Sequence, residues 1–198
     1  MMRRIIFSLL LCISQPIWAG EREEIIVLGD KLPSPALDNP YGAIVITREE
    51  MEGYQVSFLQ DILTKTGVAD FYQSGGKGTF SDIYLRGLGS KYVKLLYDGI
   101  ILNNPYSQQA AFSHLASGGL SHIEIVKGSE GVLYGSETIG GAIHAHSAIG
   151  GEGSGQFSHE VGSFATQNSR LSLQGERGDI AYGLGAGFYQ TKGFSALD

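Results

Sequence analysis

Cysteine is nearly absent. The single one in 198 residues is Cys12, inside an N-terminal apolar run. With that run removed, no disulfide can form and no thiol can act as a nucleophile. A lipid anchor on Cys12 is not indicated, because Leu11 stands where such sites carry a small residue. Long apolar runs are also missing. A membrane-spanning helix needs about 20 residues, and the leading run, Ile5 to Ile13, has nine. Preceded by Arg3-Arg4 and broken by Ser14, Gln15 and Pro16, it has the layout of a secretory signal. Cleavage is expected after Ala19 or within two residues of it, since Ile17 is bulkier than the site prefers. Positive charge is in short supply: 14 basic residues face 20 acids, a net charge of −6. Processing removes two arginines and no acid, leaving twelve against twenty, or −8. A broad nucleic-acid footprint is therefore excluded. An exported chain with no spanning helix is periplasmic, secreted, or inserted as a β-barrel.

Catalytic constellations are lacking as well. Gly75-Gly76-Lys77-Gly78-Thr79 departs from a phosphate loop because Gly78 separates the lysine from the threonine. Arg86-Gly87-Leu88-Gly89 lacks the third glycine of a dinucleotide fingerprint. No Ser/His/Asp arrangement is legible, so an enzyme is not expected. His144 and His146 alternate on a predicted strand and share one face, but no clustered third ligand accompanies them in sequence. His114, His122 and His159 are scattered. No metal and no cofactor is expected.

What is abundant is glycine, 29 residues, about twice the usual ~7%. The excess points to turns, bulges and close backbone approaches. Apolar residues make up 42% and charged ones 17%, enough for a core. Glu23 to Gly29 is a short β-prone stretch, and Lys31 to Pro40, with three prolines, reads as an extended linker. From residue 43 the pattern becomes α+β. Ala43 to Ile46 is a strand. Thr47-x-x-Glu50 and Ser57-x-x-Gln60 each match the capping box that opens a helix. Phe58, Leu59, Ile62 and Leu63 share one face of the second helix, and Gly67 ends it. Strands follow at Val68 to Tyr72, Ile83 to Arg86 and Tyr92 to Tyr97. Asp98-Gly99 between apolar runs signals a hairpin returning at Ile100 to Leu102. His122 to Lys127 alternates as a half-buried strand, and Ala142 to Ser147 is another.

After Gly150 the texture changes. Gly155 to Phe164, Gln167 to Glu176 and Ile180 to Gln190 are segments of about ten residues that alternate apolar with small or polar. That length and alternation suit outer-membrane strands, apolar side to lipid and polar side to the lumen.

Three ordered blocks, "IYLRGLGS" (83–90), "VKLLYDGIILNN" (93–104) and "HIEIVKGSEGVLYGSETIGGAIHAHS" (122–147), resemble the plug domain of TonB-dependent receptors. "IVITREEMEGYQVSFLQDILTKTGV" (44–68) resembles the plug's opening strand and helices, and "EEIIVLG" (23–29) its coupling box. The resemblance implies a fold class: an α+β plug domain followed by the first antiparallel strands of a transmembrane β-barrel. It also implies a division into a signal peptide (1–19), TonB box and linker (20–42), plug (43–150) and barrel start (151–198).

Roles follow from the same resemblance. Glu23, Glu24, Ile25, Ile26, Val27, Leu28 and Gly29 would add a strand to the carboxy-terminal domain of TonB, by β-augmentation. Apical plug loops would touch substrate through Tyr72, Gln73, Ser74, Lys77, Thr79, Phe80, Asn103, Asn104 and Tyr106. Arg86 and Lys127 match basic residues that pair with barrel glutamates and lock plug to wall. Gly87, Asp98, Gly99, Gly128, Gly135, Gly140 and Gly141 match turn positions, and Tyr134 a packing aromatic. The partners implied are TonB, a nutrient ligand and outer-membrane lipid, and the location is the cell outer membrane. Loop spacing at 73–81 and 103–117, with "TKGFSA" (191–196), is closest to cobalamin receptors; ferric-siderophore or haem receptors are the alternative. A soluble periplasmic plug-like domain is a further class. Ser129, His144, His146 and the Leu28-Gly29 end of the box depart from the family pattern. Three strands cannot close a barrel, for which about eight is the minimum, so the chain is expected to be part of a longer receptor, a truncated product, or half of a split one.

Overall fold

The computed structural model describes residues 26–27, 34–35, 43–128, 131, 134–135 and 138–193. The expected signal peptide, most of the coupling box and linker, Ser129, and residues 194–196 of the "TKGFSA" segment lie outside the described residues. Two short strands, β1 (Ile26–Val27) and β2 (Ser34–Pro35), pair antiparallel.

β3 (Ile44–Thr47) leads directly into α1 (Arg48–Gly53). The first capping box forms as read. Thr47 Oγ1 accepts from Glu50 N–H at 3.3 Å, and Thr47 N–H donates to Glu50 Oε2 at 2.8 Å. Such a cap contributes about 1 kcal/mol. The second box does not form. α2 (Leu59–Lys65) starts after Phe58 with no side-chain cap. The Ser57 hydroxyl turns instead to strands a hundred residues away, as described below. Gly67, in the left-handed region at φ +67°, ends the helix region as expected.

Next come β4 (Asp70–Gln73), β5 (Ser81–Leu85), β6 (Leu88–Gly89), β7 (Val93–Tyr97), β8 (Ile100–Ile101), β9 (Leu120–Lys127) and β10 (Gly141–Ser147). β4, β5 and β6 form a small antiparallel sheet. The larger sheet has the order β3-β9-β10-β7-β8. Its pairs are antiparallel except β10 with β7, which run parallel, Gly141 opposite Val93. A parallel pair needs a crossover, and here β8, a loop and β9 supply it.

Alternation fixes the faces of the large sheet. Ile46, Val93, Leu95, Ile123, Ile125, Ile143 and Ala145 point to one side. There they join Met51 of α1, Leu59, Ile62 and Leu63 of α2, Ile83 and Leu85 of β5, and Phe112 of a 3-10 turn (Phe112–His114) in one core. Phe71 meets Phe112 edge-on at 5.5 Å. The helices and the small sheet thus cover one face. The other carries Lys94, Leu96, Glu124, Val126, Ala142 and His144, all buried.

The last three strands, β11 (Ser154–Gly162), β12 (Thr166–Arg177) and β13 (Ile180–Gln190), form an antiparallel sheet in sequence order. Their lengths suit membrane strands of about 9–11 residues. Register places Phe157, Leu171 and Ala186 in one row and Leu173 and Leu184 in the next. Phe157, Val161, Ile180, Leu184 and Phe188 on this face are exposed. The opposite face holds Glu160, Asn168, Arg170, Gln174 and Tyr189, which contact the α+β unit. The fold is a plug domain lying against the first strands of a barrel. Gly183 shows why the inner face of β13 is small: a Cβ there would collide with the Ala148 carbonyl oxygen.

Candidate functional site

Of the seven coupling-box residues, Ile26 and Val27 are described; Glu23, Glu24, Ile25, Leu28 and Gly29 lie outside the described residues. The sequence predicts a free strand. The structure pairs Ile26 with Pro35 and Val27 with Ser34. Pro35 has no N–H to donate.

The loop after β4 is braced from within. Ser74 N–H donates to Phe80 O at 3.1 Å, Gln73 Nε2 to Gly76 O at 2.7 Å, and Thr79 Oγ1 to Gly76 O at 2.8 Å. The Lys77 ammonium pairs with the Asp61 carboxylate on α2. In the second loop, Asn103 Oδ1 accepts from Leu95 N–H at 2.8 Å while its Nδ2 donates to Val93 O and Gln108 O. Asn104 Oδ1 accepts from Tyr106 and Ser107 N–H. These amides hold loop shape. The aromatics of these loops, Tyr72, Phe80 and Tyr106, are all exposed.

The plug-motif residues fall at turns. Arg86 and Gly87 follow β5 with φ of +55° and +79°, and Asp98 and Gly99 close the β7–β8 hairpin at +47° and +81°. Asp98 Oδ1 accepts from Ser147 N–H at 2.8 Å, tying the hairpin to the end of β10. Gly128 N–H donates to Gly140 O at 3.3 Å. Gly135 has φ +114°, beside Tyr134, whose carbonyl accepts from Lys94 Nζ at 2.9 Å. Burial, and then the Glu124 carboxylate, push the Tyr134 hydroxyl up to about 12. Arg86 is exposed and Lys127 half-buried, and neither makes an ion pair among the described residues.

The polar tie between plug and wall is elsewhere. Arg170 on β12 pairs with Glu160 on β11 and reaches inward. Its Nη1 donates to Val56 O at 3.1 Å and to Ser117 Oγ at 3.3 Å. Asn168 Nδ2 donates to Ser57 Oγ at 2.6 Å, and Ser57 Oγ donates to Glu160 Oε2 at 3.2 Å. Arg48 Nη1 donates to Gln174 Oε1 at 3.0 Å, and Phe58 meets Tyr189 edge-on at 5.3 Å. Beside this network lies a cavity of about 810 Å³ bordered by Arg48, Gln55, Tyr97, Gln156 and Arg170. Its partly polar lining suits water better than an apolar ligand. Alternation of Asn168 and Arg170 with Leu171 was the available signal for these wall residues; nothing local announced their plug partners. In the chain held in detergent, a double-mutant cycle of Arg170→Ala with Ser117→Ala is expected to return a coupling of about 1 kcal/mol. Additive losses of stability in urea would remove this tie.

The fold adds a neighbour to the two histidines. The sequence shows no third ligand near His144 and His146, but β9 and β10 pair Glu124 with His144 and His122 with His146. One donor atom from each of Glu124, His144 and His146 lies within 4.8 Å of the others. Burial, then the neighbouring His146, lowers both His122 and His144 to about 4, so both rings are neutral at pH 7.

Residues 35–142 match the family described as TonB-dependent Receptor Plug Domain. The chain is 30% identical over 180 residues to the Vitamin B12 transporter BtuB of Vibrio vulnificus strain CMCP6, spanning 89% of this chain and 29% of that one. It is 36% identical over 100 residues to the Vitamin B12 transporter BtuB of strain YJ016, spanning 50% of this chain and 16% of that one. Among solved structures, the pyoverdine outer membrane receptor FpvA from Pseudomonas aeruginosa PAO1 is similar with a TM-score of 0.70 at 19% identity, over 84% of this chain and 24% of that one. The ferric-catecholate import receptor Fiu from E. coli K12 gives 0.61 at 21% identity, over 79% and 22%. The chain spans less than a third of the length of these relatives.

Proposed function

Because this chain belongs to the TonB-dependent receptors through their plug domain, we propose that it is the N-terminal part of an outer-membrane receptor for energy-coupled uptake of a scarce nutrient, cobalamin first among the candidates. The relatives are transporters and receptors, not enzymes. The observation that supports the reading best is the two-faced sheet of β11–β13. One face is apolar and exposed as lipid contact requires, and the other is polar and holds the plug. An outer membrane has no ion gradient or nucleotide supply of its own, so uphill import needs a mechanical link across the periplasm. Residues 23–29 would provide it, adding a strand to TonB through backbone hydrogen bonds. Residues 1–19 would direct export, 43–150 close the lumen, and 151–198 begin its wall. Tyr72, Phe80 and Tyr106 would stack on the ligand, with Arg86 and Lys127 meeting acids of the wall beyond this chain.

Cobalamin preference rests on the similarity to BtuB. The test is uptake of labelled cyanocobalamin by cells whose only receptor is the full-length gene product. Uptake is expected, and is lost when TonB is deleted. Ile26→Pro should abolish uptake by removing a ladder donor, while cobalamin still binds the cell surface. Binding of a ferric siderophore or haem without cobalamin would replace the substrate assignment. Undiminished uptake by the Pro variant would show that no strand is added.

A further inference from the structure

Three imidazoles and a carboxylate meet on the face of the large sheet away from the core. Neighbouring positions on β9 and β10 alternate with core residues, so His122, Glu124, His144 and His146 all lie on that side. The rings are close: His122 stacks on His146 at 4.2 Å, and His144 lies 3.8 Å from His146. Glu124 is 1% exposed, and its Oε2 is 3.9 Å from His146 Nε2. His122 Nε2, His144 Nδ1 and His146 Nε2 are all buried without a hydrogen-bond partner. Buried polar atoms are normally satisfied, and several unsatisfied ones in one place call for an ion or water.

Proton positions can be worked out for two of the rings. Ser121 Oγ donates its one hydrogen to His146 O at 3.2 Å. His122 Nδ1, 3.0 Å from Ser121 Oγ, is then the donor to that hydroxyl. This leaves His122 Nε2 with a lone pair in a buried setting. His144 Nε2 accepts from Gly99 N–H at 2.8 Å, so the proton of this ring is on Nδ1. His144 can offer Nδ1 to an ion only by moving its proton to Nε2, which breaks the bond from Gly99. Ion binding would therefore be felt at the Asp98–Gly99 turn.

We propose that Glu124, His144 and His146 form a binding site for one divalent transition-metal ion, with His122 Nε2 available as a fourth donor. Imidazole with carboxylate suits Zn²⁺, Cu²⁺ or Ni²⁺ and disfavours Mg²⁺ and Ca²⁺, which take oxygen sets. Donor atoms within 4.8 Å of one another need only small side-chain movement to reach bonds of about 2.0–2.2 Å. Ser121 orients His122 as a second-layer partner does at known metal sites. The ion would tie β9 to β10 beside the Glu124 carboxylate.

The test is calorimetric titration of the tag-free 198-residue chain, held in detergent, with Zn²⁺ alone and Mg²⁺ as comparison. One Zn²⁺ per chain and no Mg²⁺ is expected. His146→Asn and Glu124→Gln should each weaken Zn²⁺ at least tenfold, and His159→Asn, on the outer face of β11, should change nothing. The Gly99 amide resonance should shift on Zn²⁺ addition and stay still in His144→Asn. Glu124→Gln alters a buried group, so if it fails to fold, His146→Asn at the partly exposed edge of the cluster decides alone. No saturable binding at one per chain, or equal Zn²⁺ affinity in His146→Asn, would overturn the site.

Discussion

Hydrogen exchange on the chain in water should show amides of β9, β10 and β7 protected and those of β11, β12 and β13 nearly unprotected. Protection in the plug should approach the global stability of a small domain, about 5–15 kcal/mol, so exchange slows there on the order of a thousandfold or more. The contrast follows from what each unit buries. The plug closes a core around Leu59, Ile62, Ile83, Leu95, Phe112, Ile123, Ile125 and Ile143, all essentially inaccessible. The barrel strands expose Phe157 by 69%, Val161 by 74%, Ile180 by 70% and Leu184 by 66%. That surface suits lipid, and among the described residues no further strand pairs with either edge of the sheet. In water such a sheet aggregates or opens. Detergent supplies the missing apolar contact and should raise protection across 154–190 while leaving 120–147 unchanged. Equal protection through Gln190 in a detergent-free soluble monomer would reject the membrane assignment of these strands.

Gly141→Ala should strongly destabilise the plug. Gly141 opens β10 at φ +136°, a conformation that L residues rarely adopt. An added Cβ would lie against the Val126 carbonyl oxygen, 2.8 Å from Leu85 Cδ2 and 3.2 Å from Lys127 Cα. Two of those three atoms are backbone, so no rotamer change relieves the clash. Backbone strain and overpacking together cost about 3–5 kcal/mol, a large part of the whole stability. Gly53→Ala is the control: nothing lies within 4 Å of its Cβ position. It should leave stability unchanged or raise it by less than about 1 kcal/mol. Urea midpoints of the two variants measure the difference. A Gly141→Ala midpoint equal to that of Gly53→Ala would show that β10 does not approach β9 this closely.

Features fixed by neighbours in the chain were legible in the sequence. The alternation after residue 150 located three strands to within a few residues, and Asp98-Gly99 marked its hairpin. Thr47 and Glu50 are three residues apart and formed the cap they signal. Ser57 and Gln60 carry the same signal and form none, because Asn168 and Glu160 hold the Ser57 hydroxyl. A local motif was outbid by a distant partner. The same limit hid the tie through Arg170 and the pairing of Glu124 with His144. Each side chain's parity could be read, but the strand it would lie beside could not. Asn103 and Asn104 were nominated for ligand contact by loop position, and their internal hydrogen bonds became visible only with β7 and the turn at Tyr106 in place.

The parallel pairing of β7 with β10 also bears on time. Val93 meets Gly141 only after the chain between them has been laid down as β8, a long loop and β9. Contacts of large sequence separation form late, because the entropy of closing the loop is lost before any pairing rewards it. The β11–β12 and β12–β13 hairpins need only short turns and close on a microsecond scale. The plug sheet should therefore be the slow step of maturation, and β3, which meets β9 across a still longer stretch of chain (Ile44 with Ile125), should be the last strand to find its neighbour. A newly exported chain would form and lose its wall hairpins many times before its plug is complete.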